Sequence, residues 1–147
     1  MNPPKPGWRS ALKTLPVALS IRQPWAWLII HAGKDIENRT WYGHYRGPLL
    51  IHAGKGMTRQ EYSDCQVFVW DSFAETIALP AFGDLQRGGL IGHVEIVDCV
   101  TESQSSWFQG PYGFVLKNPC PRTFTPCLGS LGFFNVPSQV EPPFCSP

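Results

Sequence analysis

The chain is predicted to be an α+β fold, mainly β: a small, partly open barrel with two or so short helices across its mouth. Three observations predict it. Fourteen glycines and fifteen prolines among 147 residues interrupt the chain too often for long helices. Short apolar or alternating runs recur at 17–21, 36–40, 47–53, 88–101, 112–117 and 132–136, and each reads as a strand. Helix signatures occur at two places, both in the first half. With 43% hydrophobic residues the length suits one domain that buries a core without staples.

The elements follow in order. Residues 1–16 are Pro-rich and basic and read as an arm, either pinned to the body by Trp8 or disordered. Residues 17–136 form the domain, and 137–147 a Pro-rich tail. After the first strand, Pro24 suits the first helical position because its missing N–H has no helical partner anyway. Trp25, Leu28, Ile29 and Ala32 fall on one apolar helical face, which makes Trp25 a core residue. Gly33 is suited to the left-handed residue that closes a helix, and Lys34 sets a cation at the negative end of the helix dipole. In Ile36–Thr40 the alternation puts Glu37 and Arg39 on one side and Ile36 and Asn38 on the other. Residues 42–46 read as a hairpin loop. Thr58 and Glu61 form a T-x-x-E capping box, so a second helix starts there, with Tyr62, Cys65 and Val69 inward. In 88–101, Leu90, Gly92, Val94 and Ile96 share one side, and His93 and Glu95 the other. Pro119, Pro121 and Pro126 mark an edge strand or an extended crossing.

Composition excludes some classes. No apolar run reaches the ~18 residues of a membrane span, and no signal-peptide core is seen, so a cytoplasmic location is expected. Cys65 and Cys99 read as small core residues. Cys120, Cys127 and Cys145 have no histidine near them in sequence, so no metal site and no cofactor is expected. The net charge of +1 hides an asymmetry: residues 1–59 carry +7 and residues 60–147 carry −6. Such polarity predicts one connected basic face for an anion or a nucleic acid, unless the two halves interleave in the fold.

Lys34, Glu37 and Arg39 bring three charges of two signs together beyond the first helix. As a binding site, Lys34 faces a phosphate or base carbonyl, Glu37 accepts from an exocyclic amine and Arg39 donates to phosphate. As architecture, they are an ion pair fixing a wall. Trp41, beside this strand, is the candidate to stack on a base. Arg46 and Lys55 flank a Gly-bearing strand and turn, where a phosphate can approach the backbone. His52 and His93 are strand histidines that, if adjacent and near Glu95, can do acid–base work. Ser20 and Lys34 are the residue types of a Ser–Lys pair, and nothing in the sequence brings them together.

The run Gly33-Lys34-x-x-Glu37-x-Arg39 matches the G-x-K-x-x-E-x-R signature of ASCH domains. Leu19-Ser20, Gln23-Pro24-Trp25-Ala26, Arg39–Tyr42, Arg46-Gly47, Gly89–Val100 and Phe114–Pro119 resemble the same family. The resemblance implies a PUA-like barrel with a cleft lined by the signature. It also implies binding of RNA or a modified nucleoside, with single-stranded DNA as a further candidate and no membrane partner. The expected binding set is Ser20, Gln23, Lys34, Glu37, Arg39, Trp41, Arg46, His52 and Lys55. Some bacterial relatives are enzymes, so a small hydrolase of amidohydrolase or ribonuclease type is the alternative, with Lys34 and Glu37 as its catalytic residues. The amidohydrolase branch uses a Lys, a Thr and a Glu. Lys34 matches its Lys, but Glu37 stands where its Thr would be, so that mechanism does not carry over. A protein-interaction adaptor is a third reading, suggested by the Pro-rich ends.

Overall fold

The computed structural model describes residues 15–137. Residues 1–14 of the expected arm, Trp8 among them, and residues 138–147 of the expected tail, Cys145 among them, lie outside the described residues. Six strands form one sheet: β1 (Val17–Ile21), β2 (Ile36–Arg39), β3 (Gly47–Ala53), β4 (Gly89–Val100), β5 (Tyr112–Pro126) and β6 (Phe133–Asn135). Their order across the sheet is β2-β5-β4-β3-β1-β6. β1 and β3 run parallel; the other neighbours are antiparallel. Two α-helices, α1 (Trp25–His31) and α2 (Arg59–Phe73), complete the frame. No helix among the described residues is long and apolar enough to cross a membrane.

The sheet curls into an open half-barrel, the mainly β, PUA-like form that the sequence predicts. Its curl follows from register shifts, three along the β4–β5 ladder and one in β3 between Ile51 and His52, because a bulge bends a strand and raises its twist. The alternation expected in β4 holds only from Gly92 to Ile96: Val94 and Ile96 enter the main core, but the shift between Leu90 and Gly92 turns Leu90 into a separate cluster with Ala18 and Leu50 and puts Ile91 in the main core instead. The prolines of β5 lie on its second half, beyond the residues paired with β2, so they have a neighbour on one side only. Residues 42–46 are not a hairpin loop, because β2 pairs with β5 rather than β3. The connection instead carries the chain from one edge of the sheet to its interior.

α1 packs into the curl. Ala26, Ile29 and Ile30 join Leu19, Ile51, Val94 and Phe114 in the main core, where each fully buried Leu, Ile or Phe stabilises by about 1.5–3 kcal/mol. Gly92 makes room for the helix: a Cβ there would stand 2.7 Å from the Ile30 side chain and 2.6 Å from the Cys120 carbonyl. Leu28 turns the other way, into a second cluster with Ile36, Cys65, Val69 and Trp107. The buried stripe of α1 is thus Ala26, Leu28, Ile29 and Ile30. Trp25, expected in the core, is only half-buried, because the helix has packing partners on two sides. At the helix end, Gly33 takes the left-handed conformation (φ +77°) that the sequence predicts. α2 begins as expected, with Thr58 Oγ1 accepting from the Glu61 N–H at 3.0 Å.

Candidate binding cleft

A cavity of about 410 Å³ opens beside the signature residues. β1 supplies Ser20 and Ile21 to its wall, and Arg22 follows directly after it; α1 supplies Trp25, and α2 supplies Phe68. Lys34, Glu37, Asn38 and Arg39 and the loop residues Trp107 and Gln109 complete it. The alternation of β2 sorts the work. Glu37 and Arg39 face one way, as predicted. On the other face, Asn38 Nδ2 donates to the Trp107 carbonyl at 3.0 Å, and its Oδ1 accepts from the Gln109 and Gly110 N–H groups. Asp35 accepts from the Ser105 hydroxyl at 2.5 Å. One short strand thus carries the polar wall and also ties down the loop that closes it.

Glu37 is the centre of the polar wall and is buried. Its Oε1 accepts from Lys34 Nζ at 3.0 Å and its Oε2 from Arg39 Nε at 3.0 Å. Lys34 is 4% exposed and also donates to the Ile36 carbonyl. Its ammonium lies 5.9 Å from the Trp25 ring centroid, a cation–π contact. Burial pushes the Glu37 carboxyl upward, but the charges and hydrogen bonds of Lys34 and Arg39 outweigh it and hold the group below its ordinary value. The site therefore presents a fixed carboxylate at neutral pH, flanked by two cations. Trp25 meets Phe68 edge to face, with centroids 5.5 Å apart, and Phe68 lies 5.8 Å from Trp107, so the opposite wall is aromatic.

A second cavity, of about 700 Å³, adjoins the first at Ser20 and is lined by His52, Lys55, Arg87 and Gly88 and by residues 126–129. His52 Nε2 lies 2.7 Å from the Cys127 carbonyl, and Nδ1 lies 3.0 Å from Ser20 Oγ. A carbonyl only accepts, so Nε2 carries the proton, and Nδ1 accepts from the Ser20 hydroxyl. Gly129 lies directly against this pair. A Cβ there would be 2.8 Å from the His52 ring.

Of the expected binding set, Ser20, Lys34, Glu37 and Arg39 line the first cavity, and Ser20, His52 and Lys55 the second. Gln23 lies elsewhere: it is buried, its Oε1 accepts from the Trp27 N–H at 2.8 Å, and its Nε2 donates to the Gln86 carbonyl. It anchors the start of α1. Trp41 lines neither cavity and packs edge to face on Phe114 and Phe133 at 5.2 and 5.4 Å. Arg46 clamps its own turn by donating to the Gly43 and Tyr45 carbonyls, and lines neither cavity. The single basic face expected from the charge split is therefore divided between two cavities and a turn. His52 and His93 are not opposite each other, since His52 pairs with Leu90 and His93 with Leu50. Trp25, Phe68, Trp107, Gln109, Arg22 and Arg87 enter the cavity walls without having been expected there. The sequence signal for Trp25 was its place beside the signature; for the loop residues there was none, because Asn38 brings the loop in from far along the chain.

The ASCH domain model matches residues 19–125. Activating signal cointegrator 1 of Homo sapiens is 34% identical over 110 residues, covering 69% of this chain and 19% of that protein. The Mus musculus protein of the same name gives the same identity and coverage. The chain thus spans about a fifth of the length of these curated relatives (19%). The matched region runs from Leu19 in β1 to Thr125 in β5 and contains every residue of the first cavity; the 126–129 wall of the second lies beyond it. The chain belongs to the ASCH domain family.

Proposed function

We propose that the first cavity binds one base of an RNA, or a modified nucleoside, and selects a base that carries an exocyclic amine. The observation that carries this reading is the ionised Glu37 carboxylate inside an aromatic-walled cleft of about 410 Å³, a size typical of small-ligand sites. Lys34 and Arg39 each take one lone pair, and a carboxylate has about four acceptor positions, so positions remain for an amine. An amine donating to Glu37 makes a charge-assisted hydrogen bond, of about 1.5–3 kcal/mol. Stacking on Trp25 or Phe68 adds about 1–3 kcal/mol. Uracil and thymine have no exocyclic amine. Single-stranded DNA offers the same bases, and parallel titrations separate it from RNA. A cytoplasmic protein would meet such ligands.

Isothermal titration with cytidine, adenosine, guanosine and uridine tests the reading. At least one amine-bearing nucleoside is expected to bind about tenfold or more tightly than uridine, a gap of about 1.4 kcal/mol, and Glu37→Gln is expected to narrow that gap. Equal affinity for all four defeats the proposal.

One observation favours a hydrolase as the second reading. The Ser20 hydroxyl donates to an imidazole whose other nitrogen is fixed by the Cys127 carbonyl, the arrangement that activates a hydroxyl nucleophile. Glu37 is less suited to general-base work, because its depressed pKa lowers its basicity. Incubation with acetylated cytidine and with single-stranded RNA, followed by product analysis, tests this reading. Turnover abolished by Ser20→Ala would favour it over binding alone; absence of turnover in the native protein removes it.

A further inference from the structure

We infer that Lys55, Arg59 and Arg87 form a phosphate-binding rim on the second cavity, and that the ligand of the cleft is therefore a strand rather than a free nucleoside. The inference rests on the base-binding reading and extends it. Four cations near the cavities or their turns have a carboxylate: Arg22 with Glu61, Lys34 and Arg39 with Glu37, and Arg46 with Asp98. Lys55, Arg59 and Arg87 have none within ion-pair distance among the described residues. Yet Arg59 and Arg87 share one aromatic ring, and Arg87 is tied to the turn that carries Lys55. The Phe82 ring holds the Arg59 guanidinium 4.5 Å from its centroid and that of Arg87 at 5.5 Å. Arg87 Nη1 also donates to the Lys55 carbonyl at 3.3 Å. Like charges held together without a counter-charge repel, and an anion shared among them relieves the repulsion.

Position selects the anion. Lys55 and Arg87 line the second cavity, whose wall includes Ser20, and Ser20 also lines the base cavity. The Arg22 guanidinium lies against Gly56, where a Cβ would come within 3.2 Å of it, so the rim of the first cavity meets the turn that carries Lys55. A base in the first cavity thus places a neighbouring phosphodiester beside Lys55 and Arg87. A free nucleoside has no group to fill that place.

The test is fluorescence anisotropy with a labelled, mixed-sequence, single-stranded RNA of about twelve nucleotides, over about 50–300 mM KCl. Native protein, the double variant Lys55→Gln/Arg87→Gln and the cavity-filling variant Gln109→Trp are compared. All three altered positions are exposed, and circular dichroism checks the fold. The double variant is expected to bind about tenfold or more weakly. Its slope of log K against log salt should fall by about 1.4, since each phosphate of a single strand left without its cation removes about 0.7. The charge-preserving pair Lys55→Arg/Arg87→Lys is expected to keep the slope. An unchanged slope and affinity in the double variant, with binding abolished in Gln109→Trp, would overturn the phosphate rim and leave the base cleft standing. The reverse pattern would overturn the base cleft and leave the rim. No binding by the native protein would overturn both.

Discussion

Arg39 Nη2 donates to the Ser20 carbonyl at 3.0 Å, and these two residues belong to strands that never pair. β2 is one edge of the sheet and β1 lies next to the other, so this bond spans the open side of the half-barrel. Trp41 crosses the same seam from the end of β2 to Phe133 of β6. The signature arginine therefore has two tasks: it holds Glu37 and it holds the mouth closed. Arg39→Ala should cost about 1.5–3 kcal/mol, the range for hydrogen bonds to charged groups, with Arg39→Lys intermediate because it keeps the charge but not the fork. Urea unfolding followed by tryptophan fluorescence measures this; an Arg39→Ala protein as stable as the native one would refute the bridging role.

Trp41 and Trp25 should separate stability from binding. Trp41→Ala removes a half-buried aromatic that packs on Phe114 and Phe133 across the seam, and should destabilise by up to about 3 kcal/mol, the low end for removal of a fully buried aromatic. The folded fraction should still bind RNA as the native protein does. Phe68→Leu and Trp25→Leu, by contrast, should weaken binding by about 1–3 kcal/mol through the smaller stacking surface. Anisotropy and thermal melts on the same samples decide the matter. A Trp41 variant that melts normally but no longer binds RNA would restore Trp41 to the binding wall.

Glu37 should govern part of the acid response. Its carboxyl is held below the ordinary value of 4.5 in the folded protein, so the unfolded chain takes up its proton first as the pH falls. The stabilisation is fully present above the unfolded value and is lost as pH drops through the folded one. Native protein should therefore lose stability more steeply than Glu37→Gln below about pH 4.5, since Gln does not titrate. Glu61, also depressed by Arg22, belongs to an exposed pair and contributes less. Urea midpoints from acidic to neutral pH provide the comparison, and parallel curves for the two proteins would exclude the effect.

Cys65 should resist alkylation. It is fully buried against Leu28 and Val69, and burial pushes its thiol up to about 12, so almost no thiolate forms at neutral pH. Iodoacetamide in native buffer should leave the Cys65 peptide unmodified and label it after denaturation. Native-state labelling at Cys65 would mean that α2 lifts from the body.

Much of this molecule was legible in the sequence, for local reasons. Gly33, the Thr58 cap and the β4 alternation from Gly92 to Ile96 each depend on a few consecutive residues, and each stands as read; Leu90 does not, because a register shift turns it to the other side. The signature was legible too, since three charges on a short stretch need one another as partners. What was not legible depends on long-range pairing. Trp41 looked exposed beside charged residues, but Phe114 and Phe133 arrive from far along the chain to cover it. Gln23 and Arg46 were expected at the ligand, while Gln23 is held by a backbone carbonyl and a backbone N–H, and Arg46 by two backbone carbonyls, the Tyr42 hydroxyl and Asp98, partners that no sequence pattern marks. The aromatic wall escaped because Phe68 and Trp107 meet Trp25 only once α2 and the 101–110 loop have closed over α1.

The pairing of β2 with β5 sets the time at which the signature becomes a site. Glu37 is registered against Phe114 and Arg39 against Tyr112, so β2 has no ladder partner until the chain has been made through Val115. During synthesis from the N-terminus, Lys34, Glu37 and Arg39 would leave the ribosome as ordinary solvated side chains and wait for most of the domain to follow. A ribosome-stalled fragment ending before Tyr112 should accordingly carry the whole signature and yet have no binding activity.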